Sequence, residues 1–195
     1  YTSCRFTHAS INAALVLHEQ GVRAPDIARI RVHLCPRDDR SVGTGRDPQA
    51  KKHPRGMVDA QFSVPWTVAT ALLKGRVFIG DFLPQGLANP EVHRLTDKVT
   101  IVVDPGLDIG QREVKPALVE VETHQGKTYS QRVDYPRGSP ENPVTMEETR
   151  QVFRDCAAYS ALALPQTQVE EAIALVDRLE TVEDVASLIK QLGAS

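Results

Sequence analysis

Ala117-Leu118-Val119-Glu120-Val121-Glu122-Thr123-His124-Gln125-Gly126-Lys127-Thr128-Tyr129-Ser130-Gln131-Arg132-Val133-Asp134-Tyr135 decides the fold class of this 195-residue chain. Two strands read out of it, Ala117–Thr123 and Thr128–Tyr135. They are joined by His124-Gln125-Gly126-Lys127, a turn whose glycine suits a hairpin. Val99–Val103 upstream is a third strand candidate. In Ile27–Cys35, Ile30, Val32 and Leu34 alternate with Arg29, Arg31 and His33, which is the period of a half-buried strand. Helical stretches stand beside these strands. The expectation is an α+β fold with a mainly antiparallel sheet and flanking helices.

The first helix is predicted from a Thr7 cap through Ile11, Ala14, Leu15 and His18 to Gly21, which can end it left-handed. Val58–Gly75 reads as another helix, with Pro65 in its first turn or at a break. Phe62, Trp66, Ala69, Leu72 and Leu73 share one face and are expected in the core. Asn89 and Pro90 open a short helix carrying Val92 and Leu95. Residues 36–57 read as a long polar loop that includes Lys51-Lys52-His53-Pro54-Arg55. A loop of that length is more often functional or mobile than inert.

The prolines of Tyr135-Pro136-Arg137-Gly138-Ser139-Pro140-Glu141-Asn142-Pro143 bar both strand and helix. Everything beyond reads as helix. Thr145-Met146-Glu147-Glu148 is a capping box, followed by the stripe Met146, Val152, Phe153, Cys156 and Ala157. A second helix carries Val169, Ile173, Val176 and Leu179. Thr181-Val182-Glu183-Asp184 resembles another capping box, ahead of Val185, Leu188, Ile189 and Leu192. Three short helices make only a thin bundle, so their stripes are expected to pack on a surface outside this chain. A domain boundary is expected near residue 140, giving 1–140 and 141–195.

Hydrophobic residues make up 41% and charged residues 25%, with a net charge of −2, so no global electrostatic signal points to nucleic acid or membrane. No apolar run approaches the roughly 18 residues of a membrane span. Cys4, Cys35 and Cys156 lie far apart, which reads as reduced thiols in a cytoplasm-like compartment. Cys35 and Cys156 sit in apolar patterns and are expected to be buried. His18, His33, His93 and His124 show no i, i+4 pairing, so no metal site is expected. The chain opens on Tyr1 with a helical pattern close behind, and is expected to start in mid-domain.

Several ordered stretches resemble the MmgE/PrpD family. Tyr1-Thr2-Ser3-Cys4-Arg5-Phe6-Thr7-His8 and Ile11-Asn12-Ala13-Ala14 are similar to its Lys-x-Tyr-Pro-(small)-(Cys or His)-x-x-x-His segment and "Ile-Asp-Ala" helix. Asp26-Ile27-Ala28-Arg29-Ile30-Arg31-Val32 resembles the strand that follows. Asp59-Ala60-Gln61-Phe62-Ser63-Val64-Pro65-Trp66-Thr67-Val68-Ala69 is close to "Ala-x-Phe-Ser-x-Pro-Tyr-x-Val-Ala". Tyr135-Pro136-Arg137-Gly138-Ser139-Pro140 is similar to "Tyr-Pro-x-Gly-(Asp/Ser)-Pro".

The resemblance implies a small α+β lid over residues 1–140, then helices of 141–195 returning to a large all-helical domain. It implies lyase or isomerase chemistry on small polycarboxylates, with dehydration of a 2-methylcitrate-like hydroxy acid leading and iminodisuccinate epimerisation as the alternative. A non-catalytic lid or self-association module is the rival from another class. No cofactor is implied, and a homodimer is. Among site residues, the catalytic candidates are His8, at the motif's last histidine, and Cys4, where decarboxylase-like members have His. Ser3 and Arg5 are substrate-binding candidates. Lys51, Lys52 and Arg55 join them as a basic cluster suited to gathering an anion, or else form a solvated face. The motif's lysine falls ahead of Tyr1, and Thr2 stands where the family has Pro.

Overall fold

The computed structural model describes residues 1–111 and 113–193. It opens with α1 (His8–Glu19), β1 (Ile27–Leu34), α2 (Pro36–Asp38), α3 (Pro48–Lys52), α4 (Met57–Gln61) and α5 (Val64–Lys74). Then come α6 (Pro84–Leu87), α7 (Pro90–Asp97), β2 (Val99–Val103), β3 (Ala117–Thr123) and β4 (Thr128–Val133). The last elements are α8 (Met146–Ala157), α9 (Gln166–Val176) and α10 (Ala186–Leu192). The architecture is α+β, in two compact units, Tyr1–Pro143 and Val144–Ser195.

The four strands form one sheet in the order β2-β1-β3-β4. The β1–β3 and β3–β4 pairs are antiparallel, as the hairpin reading anticipates. β1 and β2 run parallel, Ile30 opposite Val99 through Leu34 opposite Val103. Sheet order follows from the buried alternation. Ile27, Ile30, Val32 and Leu34 of β1 join Ala117, Val119 and Val121 of β3 in one apolar layer. α1 packs on β3, β4 and α5, and α5 packs on β2 and α7. The other sheet face is polar: Glu120 accepts from Arg31 Nε at 3.0 Å and lies 2.8 Å from His33 Nε2. Such cross-strand pairs help fix register.

Several boundaries differ from the sequence expectation. β1 ends at Leu34 and β4 at Val133, and Thr7 stands before α1 without capping it. Its hydroxyl donates instead to the Cys4 carbonyl at 2.7 Å. Residues 36–57 are not a structureless loop. Pro36 and Pro48 each occupy the first turn of a helix, a π-turn spans Asp39–Gly43, and Asp47 accepts from the backbone of Gln49 and Ala50. Proline at a first helical position gives up no hydrogen bond, so these prolines start helices rather than break them. The 58–75 stretch is two helices. Ser63 caps the second by accepting from Trp66 N at 3.0 Å, and Pro65 sits in its first turn. Phe62 falls in the break and is 44% exposed, not core; Trp66 is fully buried. Gly75, at φ 66°, closes α5 in the left-handed region.

In the second unit, α8, α9 and α10 leave an apolar pocket of about 190 Å³ lined by Met146, Phe153, Ile173, Val176, Leu188 and Leu192. Met146 is 59% and Ile189 71% exposed, and Cys156 is exposed rather than buried, because its helix has little to lie against. The second capping box does not form. Thr181 donates to the Arg178 carbonyl, and Asp184 accepts from Ala186 N. The first does form: Thr145 Oγ1 accepts from Glu148 N at 3.2 Å, and Glu148 Oε2 accepts from Thr145 N at 2.7 Å. Thr145→Ala is expected to cost this helix start about 1 kcal/mol. Amide exchange over Glu147–Thr149 should speed up about fivefold; unchanged exchange would show the box contributes nothing.

Candidate functional site

Three segments of the first unit converge around Cys4. The opening stretch is strapped to the end of α4: Cys4 N donates to the Gln61 carbonyl at 2.9 Å, and Gln61 Nε2 donates to the Thr2 carbonyl at 2.8 Å. Lys51, from α3, reaches the same place. Its ammonium donates to the Phe62 carbonyl at 2.6 Å and to the Ser41 carbonyl at 2.9 Å. The Ser63 hydroxyl donates back to the Lys51 carbonyl. Burial lowers the Lys51 pKa below the ordinary lysine value, partly offset by the Asp59 carboxylate and by Cys4. Lys51 and Cys4 are therefore electrostatic neighbours. The site joins a half-buried cation to a thiol, an arrangement suited to holding an anion.

His8 begins α1, one helical turn beyond Cys4. Its Nε2 lies 3.3 Å from the Ser3 carbonyl oxygen, which can only accept, so Nε2 carries the proton and the neutral ring's lone pair is on Nδ1. The Tyr1 ring meets the His8 ring edge-on at 5.2 Å. Burial, with Arg5 adding to it, lowers the His8 pKa below the ordinary histidine value. His8 is thus neutral at pH 7 and can receive a proton. Anionic substrate nearby would raise its proton affinity. The Ser3 hydroxyl is 2.9 Å from that of Thr7, which fixes the turn between Cys4 and His8. Thr2 Oγ1 is buried with no hydrogen-bond partner.

The remaining sequence candidates go elsewhere. Arg5 is exposed and lines a separate pocket of about 180 Å³ with Glu113, Asp134, Tyr135, Ser139 and Glu141. Lys52 donates to the Asp97 carbonyl at 3.1 Å, and Arg55 is exposed in the turn after α3. Sequence reasoning passed over Gln61, Asp59 and Asn12. Gln61 holds the Cys4 segment, Asp59 acts on Lys51, and Asn12 takes a hydrogen bond from Arg137 N at 2.7 Å while donating to the Tyr1 hydroxyl. Gln61 and Asp59 stand inside the quoted Asp59–Ala69 stretch, which was their signal. Among the described residues no group of three or more His, Cys, Asp or Glu is arranged to hold a metal, and no helix is long and apolar enough to cross a membrane.

The two-layer α+β unit, its strapped Tyr1–His8 segment and the trailing helices describe the class of a small α+β domain joined to a helical tail. A model of the MmgE/PrpD C-terminal domain matches residues 1–185, and the chain belongs to the MmgE/PrpD family. It is 26% identical over 134 residues to the cis-aconitate decarboxylase of Mus musculus. That stretch covers 69% of this chain and 27% of the relative, so the chain matches about a quarter of that protein's length.

Proposed function

We propose that this chain forms the lid and returning C-terminal helices of an MmgE/PrpD-type lyase acting on small polycarboxylates. The reaction is dehydration of a 2-methylcitrate-like hydroxy acid. The observation carrying this reading is the meeting of Lys51, Cys4 and the Gln61–Phe62 backbone beside neutral His8. Removing water next to a carboxylate requires a cation on that carboxylate and a base for the adjacent carbon's proton. Lys51 serves as the cation and His8 Nδ1 takes the carbon's proton, while the hydroxyl leaves as water on a proton from an acid in the helical domain. Further groups come from a helical domain that covers the exposed faces of Met146 and Ile189. Two such enzymes pair as a homodimer.

Decarboxylation of cis-aconitate is the second reading, favoured by the similarity to the mouse decarboxylase. Against it stands Cys4, at a position where decarboxylase-like members have His, because imidazole is the side chain suited to shuttling protons near neutrality. The test supplies methylcitrate, citrate, cis-aconitate and iminodisuccinate to this chain and to a longer parent that includes the residues before Tyr1. Ultraviolet absorbance of the conjugated enoate and evolved CO₂ are the readouts. Enoate formation from methylcitrate by the parent alone is expected. CO₂ from cis-aconitate would favour the second reading, and an inert parent would remove the polycarboxylate assignment.

A further inference from the structure

His53 and His93 face each other between the turn that ends α3 and helix α7. Their rings meet edge to edge, with centroids 5.4 Å apart and planes 17° from parallel, and the two Nδ1 atoms are 3.1 Å apart. The other nitrogen of each ring is committed. His93 Nε2 lies 2.8 Å from the Leu87 carbonyl oxygen, which only accepts, so this nitrogen bears a proton. His53 Nε2 lies 2.9 Å from an Asp97 carboxylate oxygen, which as an ion also only accepts. Two neutral rings own one proton each, and both are spent at Nε2. Two bare Nδ1 lone pairs would then point at each other at hydrogen-bonding distance, which is repulsive.

One additional proton resolves the conflict. Placed on His53 Nδ1, it makes an N–H···N hydrogen bond to His93, and the imidazolium it creates rests on the Asp97 carboxylate. A metal ion between the two nitrogens would do the same electrostatic work. The described residues offer no third His, Cys, Asp or Glu to complete such a site, and Asp97 is on the far side of the His53 ring. A proton therefore fits better than a metal. We propose that His53 and His93 form a one-proton pair which, with Asp97, acts as a pH-gated latch fastening the Pro48–Lys52 helix to α7.

Three elements present groups to the pair. From α7 they are Asp97 and the His93 ring itself; from α3, Lys52, whose ammonium donates to the Asp97 backbone carbonyl. From α5 the uncharged Trp66 ring meets His93 edge-on at 5.1 Å. Raising the pH strips the shared proton, restores the facing lone pairs and removes the latch's contribution. Lowering it far enough protonates His93 Nδ1 as well, and two imidazoliums repel. The latch holds only in the window between these two proton steps, which belong to the pair rather than to either ring. Lys51 lies two residues before His53, so opening the latch loosens the helix that carries the proposed anion-binding cation.

The test is a ¹⁵N-histidine NMR titration of the whole chain, treated with chelator. In the window, His53 is expected to show both ring nitrogens protonated and His93 only Nε2. Amide exchange over Lys51–His53 is expected to quicken above it. Asp97 is 60% exposed, so Asp97→Asn leaves the fold intact. It should weaken binding of the shared proton about tenfold, moving the upper step down by about one pH unit. Uptake of protons by both Nδ1 atoms in a single step, with no singly charged pair between, overturns the proposal, as does an Asp97→Asn variant that titrates like the parent. So would stoichiometric Zn²⁺ shifting both Nδ1 signals at once, since that outcome assigns the gap to a metal.

Discussion

Trp66→Ala is expected to destabilise the Tyr1–Pro143 unit by about 3–5 kcal/mol, the cost of emptying a large aromatic site in a core. Trp66 is fully buried, and its Nε1–H donates to the Asp81 carbonyl at 3.2 Å. The wall around it has little room to relax. Asp81 is held by Lys74 at 2.6 Å and accepts from Phe78 N at 2.8 Å. Behind it Gly86 is pressed so closely on the chain that a Cβ would lie 2.2 Å from the Gly80 carbonyl oxygen. A cavity there cannot collapse, and the Asp81 carbonyl loses its donor. Native domains are stable by only about 5–15 kcal/mol, so one substitution removes a large share. Trp66 is the chain's single tryptophan, so unfolding is followed by far-ultraviolet circular dichroism. The urea midpoint should fall by on the order of 1–3 M. Trp66→Phe, which keeps most of the apolar area, should lose far less. A shift below about 0.5 M for the alanine variant would mean the site repacks, contrary to this account.

The way Trp66 is placed shows what the sequence could and could not convey. Its burial was legible because Trp66, Ala69 and Leu72 recur on one helical face and Gly75 closes the helix. Phe62 has the same spacing but lies outside, because Ser63 starts a new helix. Periodicity continues through a cap, whereas the helix does not. The same competition hid α2 and α3, where Pro36 and Pro48 look like breakers in a polar run but serve as first-turn residues. The hairpin between β3 and β4 was readable from local signals, while the parallel β1–β2 pair was not. A parallel partner arrives through a long crossover, and no short-range pattern encodes it. The site followed the same division. The Tyr1–His8 segment and the Asp59–Ala69 stretch carried the family pattern, and the family is the one the chain belongs to. Lys51 could be named as part of a basic run. That it, and not Lys52 or Arg55, turns toward Cys4 is fixed by α3, whose existence the sequence reading missed.

That distinction sets the second large effect. In the full-length parent, Lys51→Ala is expected to lower kcat/KM for a polycarboxylate substrate by about 100-fold, the range for losing a hydrogen bond to a charged group in a desolvated site. If Lys51 only holds a substrate carboxylate, the loss appears chiefly in KM; if it stabilises charge that develops during reaction, it appears in kcat. Lys51 also ties Phe62 to Ser41 through its two carbonyl contacts, so a structural role must be separated from a chemical one. Lys51→Arg makes the separation. It keeps a donor for both carbonyls and a positive charge, and should recover most of the stability with part of the activity. Lys127→Ala, an exposed cation resting over Tyr129, controls for loss of surface charge. The pH profile supplies a further readout. Burial lowers the Lys51 pKa, so its charge is present below that depressed value and disappears as pH rises through it. Substrate affinity should therefore fall on the alkaline side at a lower pH than an ordinary lysine would dictate. A Lys51→Ala enzyme with unchanged KM, kcat and alkaline limb would remove Lys51 from the site and with it the anion-holding role.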